Sequence, residues 1–181
     1  MIHYSQVYPD EETSKQRDAR LYHENYQGAM TNMKRTLLQD VASFKVYMGW
    51  YDLKAGLVTF LSEREFSLFS YAISTTNDCL VCSLFFRRIL IDSGDDPDNL
   101  QLSSREQLLW DFGQAIVTDF HQIKEEIYAR LTQEFSETQG IQLMAFAGQM
   151  IATNVFVSIA NVELDEVLYA YQKEKTDESG I

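Results

Sequence analysis

The chain has 181 residues, 45% apolar and 23% charged, with a formal net charge of -12 at pH 7. That is the length of one domain with enough apolar material for a real core. A surface this negative repels phosphate backbones and anionic headgroups, and no basic run is longer than two residues, as at Arg87–Arg88, which argues against a nucleic-acid partner.

The segment Met1 to Arg20 is polar and shows no basic start with an apolar stretch behind it. No window reaches the roughly 18 uninterrupted apolar residues of a membrane span. Residues 141–160 come nearest, but Gln142, Gln149, Thr153, Asn154 and Ser158 interrupt them. The expectation is a soluble, cytoplasmic protein with no membrane partner. In that compartment two cysteines are thiols with a task, or core residues, rather than a structural cross-link.

Only Pro9 and Pro97 break the chain and glycine is sparse, which favours long helices. Residues 1–18 read as a loosely held polar arm, followed by a polar helix over about 19–34. Residues 36–54 place Leu37, Val41, Phe44 and Met48 at helical spacing, as one apolar stripe. Ser62 with Glu65 forms a capping box that opens a helix carrying Phe66, Phe69, Ala72 and Ile73. Thr75 to Asp78 ends it, and Asn77 or Asp78 caps a fourth helix from Cys79 to about Ile91. The loop Asp92 to Asp98 is acidic but lacks the spacing of a calcium loop, and Gly94 and Pro97 fit a plain turn.

Ser103 and Ser104 precede Glu106 and Gln107 at capping-box spacing and open a helix with Leu108, Leu109, Phe112 and Ile116. A short helix over 121–135, an apolar helix over 138–160 and an amphipathic one over 163–173 follow. Gln172 to Ile181 is a charged tail. No stretch alternates long enough for a strand, so the fold class is all-α, a helix bundle in one domain spanning 1–181.

The chemistry centres on Cys79–Leu80–Val81–Cys82. Two cysteines three apart share a helix face, and a helix N-terminus presents unpaired N–H groups and positive partial charge that favour a thiolate. A lowered thiol pKa beside a second thiol makes a reversible redox pair. The alternative is that both are small core hydrophobes, since Leu80, Val81, Leu84, Phe85 and Phe86 flank them. No second pair or nearby His supports a metal site, and no cofactor is implied.

The stretch from Phe66 to Cys82, FSLFSYAISTTNDCLVC, resembles the helix-turn-helix of the carboxymuconolactone decarboxylase and alkylhydroperoxidase D-like family. Val41 to Leu53 with Trp50, Leu61 to Glu65, Phe120 to Ile123, Leu131, Phe135–Ser136 and Ile151 to Ala160 extend the resemblance over roughly residues 36–165. It implies an alkylhydroperoxidase D-like helical bundle, a homo-oligomer (dimer, trimer or hexamer), and thiol-based reduction of a small hydroperoxide or disulfide, with a thiol reductant protein as partner. Cys79 and Cys82 match the family's redox pair. Two positions depart from it. The His expected four residues after the second cysteine is Phe86, and the Glu expected twelve before the first is Ser67, with Glu63 and Glu65 displaced nearby.

Of the remaining candidates, His3 and His23 read as solvated side chains. His121 reads as a cap near a helix start, with approach to the thiols as its alternative. Arg87 and Arg88 read as surface ion-pairing residues, with thiolate stabilisation as theirs. Trp50 and Tyr71 read as core or pocket walls. Two functions stay open: a dithiol peroxidase or oxidoreductase, weak for want of the relay, and a non-catalytic helical oligomer binding a small ligand or partner.

Overall fold

The structure, a computed structural model, describes residues 4–173. These form α1 (Ser14–Tyr26), α2 (Asn32–Leu37), α3 (Val41–Met48), α4 (Trp50–Leu57), α5 (Glu63–Thr76), α6 (Leu80–Asp92), α7 (Ser104–Asp119), α8 (Glu125–Glu134), α9 (Glu137–Ile159) and a 3-10 helix, Glu166–Tyr171. Among the described residues there is no strand, and the all-α expectation holds.

The helix starts are written in the sequence. Thr13 with Gln16, Ser62 with Glu65, Ser103 with Glu106 and Ser136 with Gln139 each form a complete capping box. Each satisfies two of the backbone donors a helix start leaves orphaned.

Helix α5 is the axis of the bundle. Its residues Glu65 to Ser74 are buried on every side, because α6, α7 and α9 all pack on it. Phe66 lies 5.0 Å from Phe146 of α9, and Phe69 stacks on Phe112 of α7 at 6.0 Å, centroid to centroid. A Cβ at Gly113 would stand 3.2 Å from both Ile73 and Phe69, so the bare glycine sets how closely α7 approaches α5. A second cluster, of Val7, Ala19, Leu37, Leu38, Phe44 and Met48, ties the N-terminal helices together. A third and smaller one holds Cys79, Cys82 and Val157.

Five expectations need correction. The arm is shorter than 1–18: helix starts at Ser14, Val7 is buried, and its N–H donates to the Arg35 carbonyl. The helix then ends at Tyr26 instead of running to residue 34. The single helix over 36–54 is three helices. Asp40 accepts the Ser43 N–H at 2.8 Å and so restarts the chain as α3, and Gly49 divides α3 from α4. The apolar stripe runs through these breaks, since Leu37, Phe44 and Met48 share one cluster, so periodicity alone could not reveal them. Residues 121–123 are a turn, with Asp119 accepting the His121 N–H, and α8 begins at Glu125. The terminal helix is a 3-10 turn, 166–171.

The acidic loop is tied down by ion pairs. Arg64 bridges Asp95 and Glu106, while Arg87 and Lys173 hold Asp98. The last charged residues, 174–181, and His3 lie outside the described residues. By length and composition α9 alone among the described helices could cross a membrane. It also supplies Leu143, Phe146, Ala147 and Met150 to the main core, as a central helix of a bundle does.

Candidate functional site

The turn between α5 and α6 delivers the two cysteines. Asn77 caps the end of α5, Asp78 adopts a left-handed φ of 52°, and the Cys79 N–H returns to the Ser74 carbonyl at 3.1 Å. Neither Asn77 nor Asp78 caps α6: Cys79 itself holds the N-cap position, with extended backbone, and Leu80 is the first helical residue. Cys79 thus holds the position where a capping oxygen usually stands, without making a side-chain capping hydrogen bond, and Cys82 is the third residue of the first turn.

This placement splits the two thiols. The S–H of Cys82 and the backbone N–H groups of Cys82 and Val81, with the Ser158 hydroxyl, stabilise negative charge on Cys79 against the cost of its burial and pull its pKa below the ordinary thiol value. Cys82 is pushed up, because it is the proton donor to Cys79 and is itself buried away from water. The thiol whose pKa is lowered is Cys79, and the largest cause is the neighbouring Cys82 rather than the helix start on which the expectation rested. Both cysteines are free thiols. Cys79 is 1% exposed and Cys82 7% exposed, so the burial expected of core hydrophobes is also present.

Access belongs to the other sulfur. Cys82 borders a cavity of about 90 Å³ lined by Trp50, Phe85, Phe86 and Met150. Its polar rim is Lys34, Tyr51, Thr153 and Asp165. Trp50 is fixed by its indole N–H, which points at the Met150 sulfur at 2.9 Å. Lys34 is 7% exposed and donates to the Ala29 carbonyl at 2.6 Å and to the Tyr51 hydroxyl at 2.8 Å. Burial pulls its pKa down to about 8, against the pull of Asp165 in the other direction. Burial in turn raises Asp165, which accepts the Asn32 N–H at 2.8 Å. Among the described residues no cluster could hold a metal ion.

The other candidates fall elsewhere. Phe86 packs edge-on to Phe66, and Ser67 is buried in α5 without bordering the cavity. Glu65 is spent on its capping box and on Arg105, and Glu63 pairs with Lys54. Arg87 pairs with Asp98 and donates to the Tyr171 carbonyl, while Arg88 sits over Phe85 and pairs with Asp92. His121 is exposed against Phe120, away from the cavity. His23 corrects its expectation outright: it is fully buried, edge-on to Phe44 and Tyr51. Trp50 is a pocket wall, and Tyr71 is core beside Trp110. Lys34, Tyr51 and Asp165 carry no motif. Only folding brings positions 34, 51, 82 and 165 to one cavity.

No protein-family model matches the sequence, and no curated protein matches it. Solved structures do match. A peroxidase-related protein from Silicibacter sp. TM1040, itself described as uncharacterized, superposes with a TM-score of 0.76 at 16% identity, covering 94% of this chain and 95% of the other. The debrominase Bmp8, in its apo form, gives 0.73 at 14% identity, covering 93% and 95%. The all-helical bundle that the sequence resemblance implied is thus the fold observed, and these two proteins share it.

Proposed function

We propose that this chain is a thiol-based oxidoreductase that reduces a small hydroperoxide or disulfide through Cys79 and Cys82. The observation that carries the reading is the placement of the pair: one sulfur stands at a helix N-cap, and the second, packed in the same cluster three residues on, borders a cavity. Two electrons leave the pair as it closes to a disulfide, and a thiol reductant restores it. A peroxidase-related structural neighbour supports the oxidant class. The neighbour named a debrominase adds a halogenated organic molecule as a second oxidant to try on the same dithiol.

The activity is slow by this reading. Position 86 carries a phenyl ring and position 67 a hydroxyl, so no imidazole takes the Cys82 proton and no carboxylate orients it. General acid–base help of this kind contributes about 10²–10⁴ in rate.

The alternative is a non-catalytic module that binds a small apolar ligand in the same cavity. A thiol titration decides between them. Native protein mixed with tert-butyl hydroperoxide should lose both thiols together and regain them with reductant. Thiols that stay unreactive until the protein is denatured would leave the binding module standing.

A further inference from the structure

We propose that Lys34 is the proton donor to the alkoxide that leaves when a small alkyl hydroperoxide is cleaved at Cys82, with Tyr51 holding the ammonium in place. This rests on the oxidoreductase reading above and supplies the acid half of the relay that positions 67 and 86 lack.

The argument begins with an oddity of burial. Lysine is almost never fully buried unless paired, yet Lys34 is buried at the edge of a largely apolar cavity, where its hydrogen-bond acceptors, the Ala29 carbonyl and the Tyr51 hydroxyl, are neutral and Asp165 is the charged group beside it. An ammonium has three donors. Two are committed, which leaves one for a molecule in the cavity that Lys34 and Cys82 both border. Burial sets its proton affinity at about 8, so near neutral pH it is charged and yet gives up a proton far more readily than a surface lysine.

Size narrows the substrate. A cavity of roughly 150 Å³ accommodates a benzene ring; this one, about 90 Å³, takes a short branched or straight alkyl group and not a bulky lipid chain.

The balance closes. The Cys82 proton first moves to the neighbouring Cys79 thiolate, an uphill transfer given the split in their acidities, which leaves a small fraction of Cys82 as the more nucleophilic thiolate. Its sulfur attacks the outer peroxide oxygen; the S–O bond forms, the O–O bond breaks, and the alkoxide takes a proton from Lys34 to leave as alcohol. Cys79 then attacks the Cys82 sulfenic acid, and the hydroxide expelled takes the Cys79 proton and leaves as water. Two thiols have become a disulfide, one hydroperoxide has become one alcohol and one water, and Lys34 regains its proton from solvent.

The groups facing Lys34 do not mimic its titration. His23, from α1, is held below its usual value by burial and by Lys34 itself. Tyr51, from α4, is raised above its usual value by burial. Asp165, with Arg35 and Arg88 around it, carries a charge that favours the ammonium.

The test compares leaving groups. Single-turnover thiol oxidation is followed with tert-butyl hydroperoxide, whose alkoxide needs a proton, and at about pH 6 with peracetic acid, whose carboxylate does not. Lys34→Met should slow the first reaction about 100-fold and the second by less than about threefold. Lys34→Arg, which keeps the charge but not a donatable proton, should lose the wild-type fall in alkyl hydroperoxide rate above about pH 8. Tyr51→Phe should slow the alkyl hydroperoxide alone by about tenfold. Equal slowing of both oxidants, or of neither, in folded variants would overturn the proposal while leaving the dithiol reading intact. Wild-type thiols inert to both oxidants would sink the two together.

Discussion

The ring of Phe86, one helical turn after Cys82, meets the ring of Phe66 edge-on at 6.3 Å, and through it joins the aromatic stack of Phe66, Phe146 and Trp50. A position that would place an imidazole beside the thiol is here part of the main core. The structure thus exchanges a proton acceptor for packing, and Phe86 also dries the sulfur it touches the cavity with, which disfavours its thiolate.

Restoring the relay should therefore raise rate at the expense of stability. Phe86→His removes aromatic contacts and buries a polar ring, for a loss of about 2–4 kcal/mol. Ser67→Glu puts a carboxylate where the side chain is 2% exposed. The double variant, where folded, should oxidise its thiols with tert-butyl hydroperoxide at least tenfold faster than wild type and faster than either single variant. Urea midpoints and single-turnover rates on the same samples measure both sides. A wild-type rate already equal to that of the double variant would mean that another residue supplies the base.

The sequence carried much of this. Ser62 with Glu65 and Ser103 with Glu106 marked two helix starts correctly because capping is local chemistry. The cysteine turn was legible for the same reason, apart from one residue of register that made Cys79 the cap. What could not be read is what depends on distant segments. His23 looks solvated in a polar helix, yet α3 and α4 close over it with Phe44 and Tyr51. Lys34 looks like any surface lysine until α4 and the segment before the 3-10 helix bring Tyr51 and Asp165 beside it.

The split in thiol acidity can be measured directly. The largest stabiliser of the Cys79 thiolate is the S–H of Cys82. Cys82→Ala should raise the Cys79 pKa, and Cys82→Ser, which keeps a hydroxyl donor, should raise it less. Conversely Cys79→Ser should leave a Cys82 that resists ionisation past the ordinary thiol value, since its burial remains. Thiolate absorbance in the far ultraviolet, titrated on each variant, reports all three. A Cys79 pKa equal in wild type and Cys82→Ala would refute the coupling between the two thiols.

The outer face of α9 carries Ile141, Met144, Val155 and Ile159, all exposed and spaced along one side of the helix. An apolar stripe of this kind usually marks an interface, and we propose that it packs against other copies of the chain. Light scattering at micromolar concentration should give a multiple of 21.0 kDa, and Met144→Glu with Val155→Glu should lower it. A wild-type mass of a single chain would end the proposal.

Lys34 also makes a prediction about stability, with a sign opposite to that of most buried-residue substitutions. Its folded pKa, about 8, lies below its value of 10.5 in the unfolded chain. Between those two values the unfolded chain holds a proton that the folded chain has released, so this group adds stability as pH rises through the window. Below about 8 both states are protonated, and the folded one carries a charge buried at a cost of about 3 kcal/mol. Lys34→Met removes that cost together with the hydrogen bonds to Ala29 and Tyr51. It should raise stability by about 1–3 kcal/mol at pH 7. The gain should shrink steadily toward about pH 10.5, where wild-type Lys34 is neutral when folded. The two thiols are the same in both proteins, so their own titration cancels in the difference. Urea unfolding of wild type and variant at several pH values between about 7 and 10 measures it. A variant less stable than wild type at pH 7, or a difference that does not change with pH, would show that Lys34 stabilises the fold. Its burial would then need no catalytic reason.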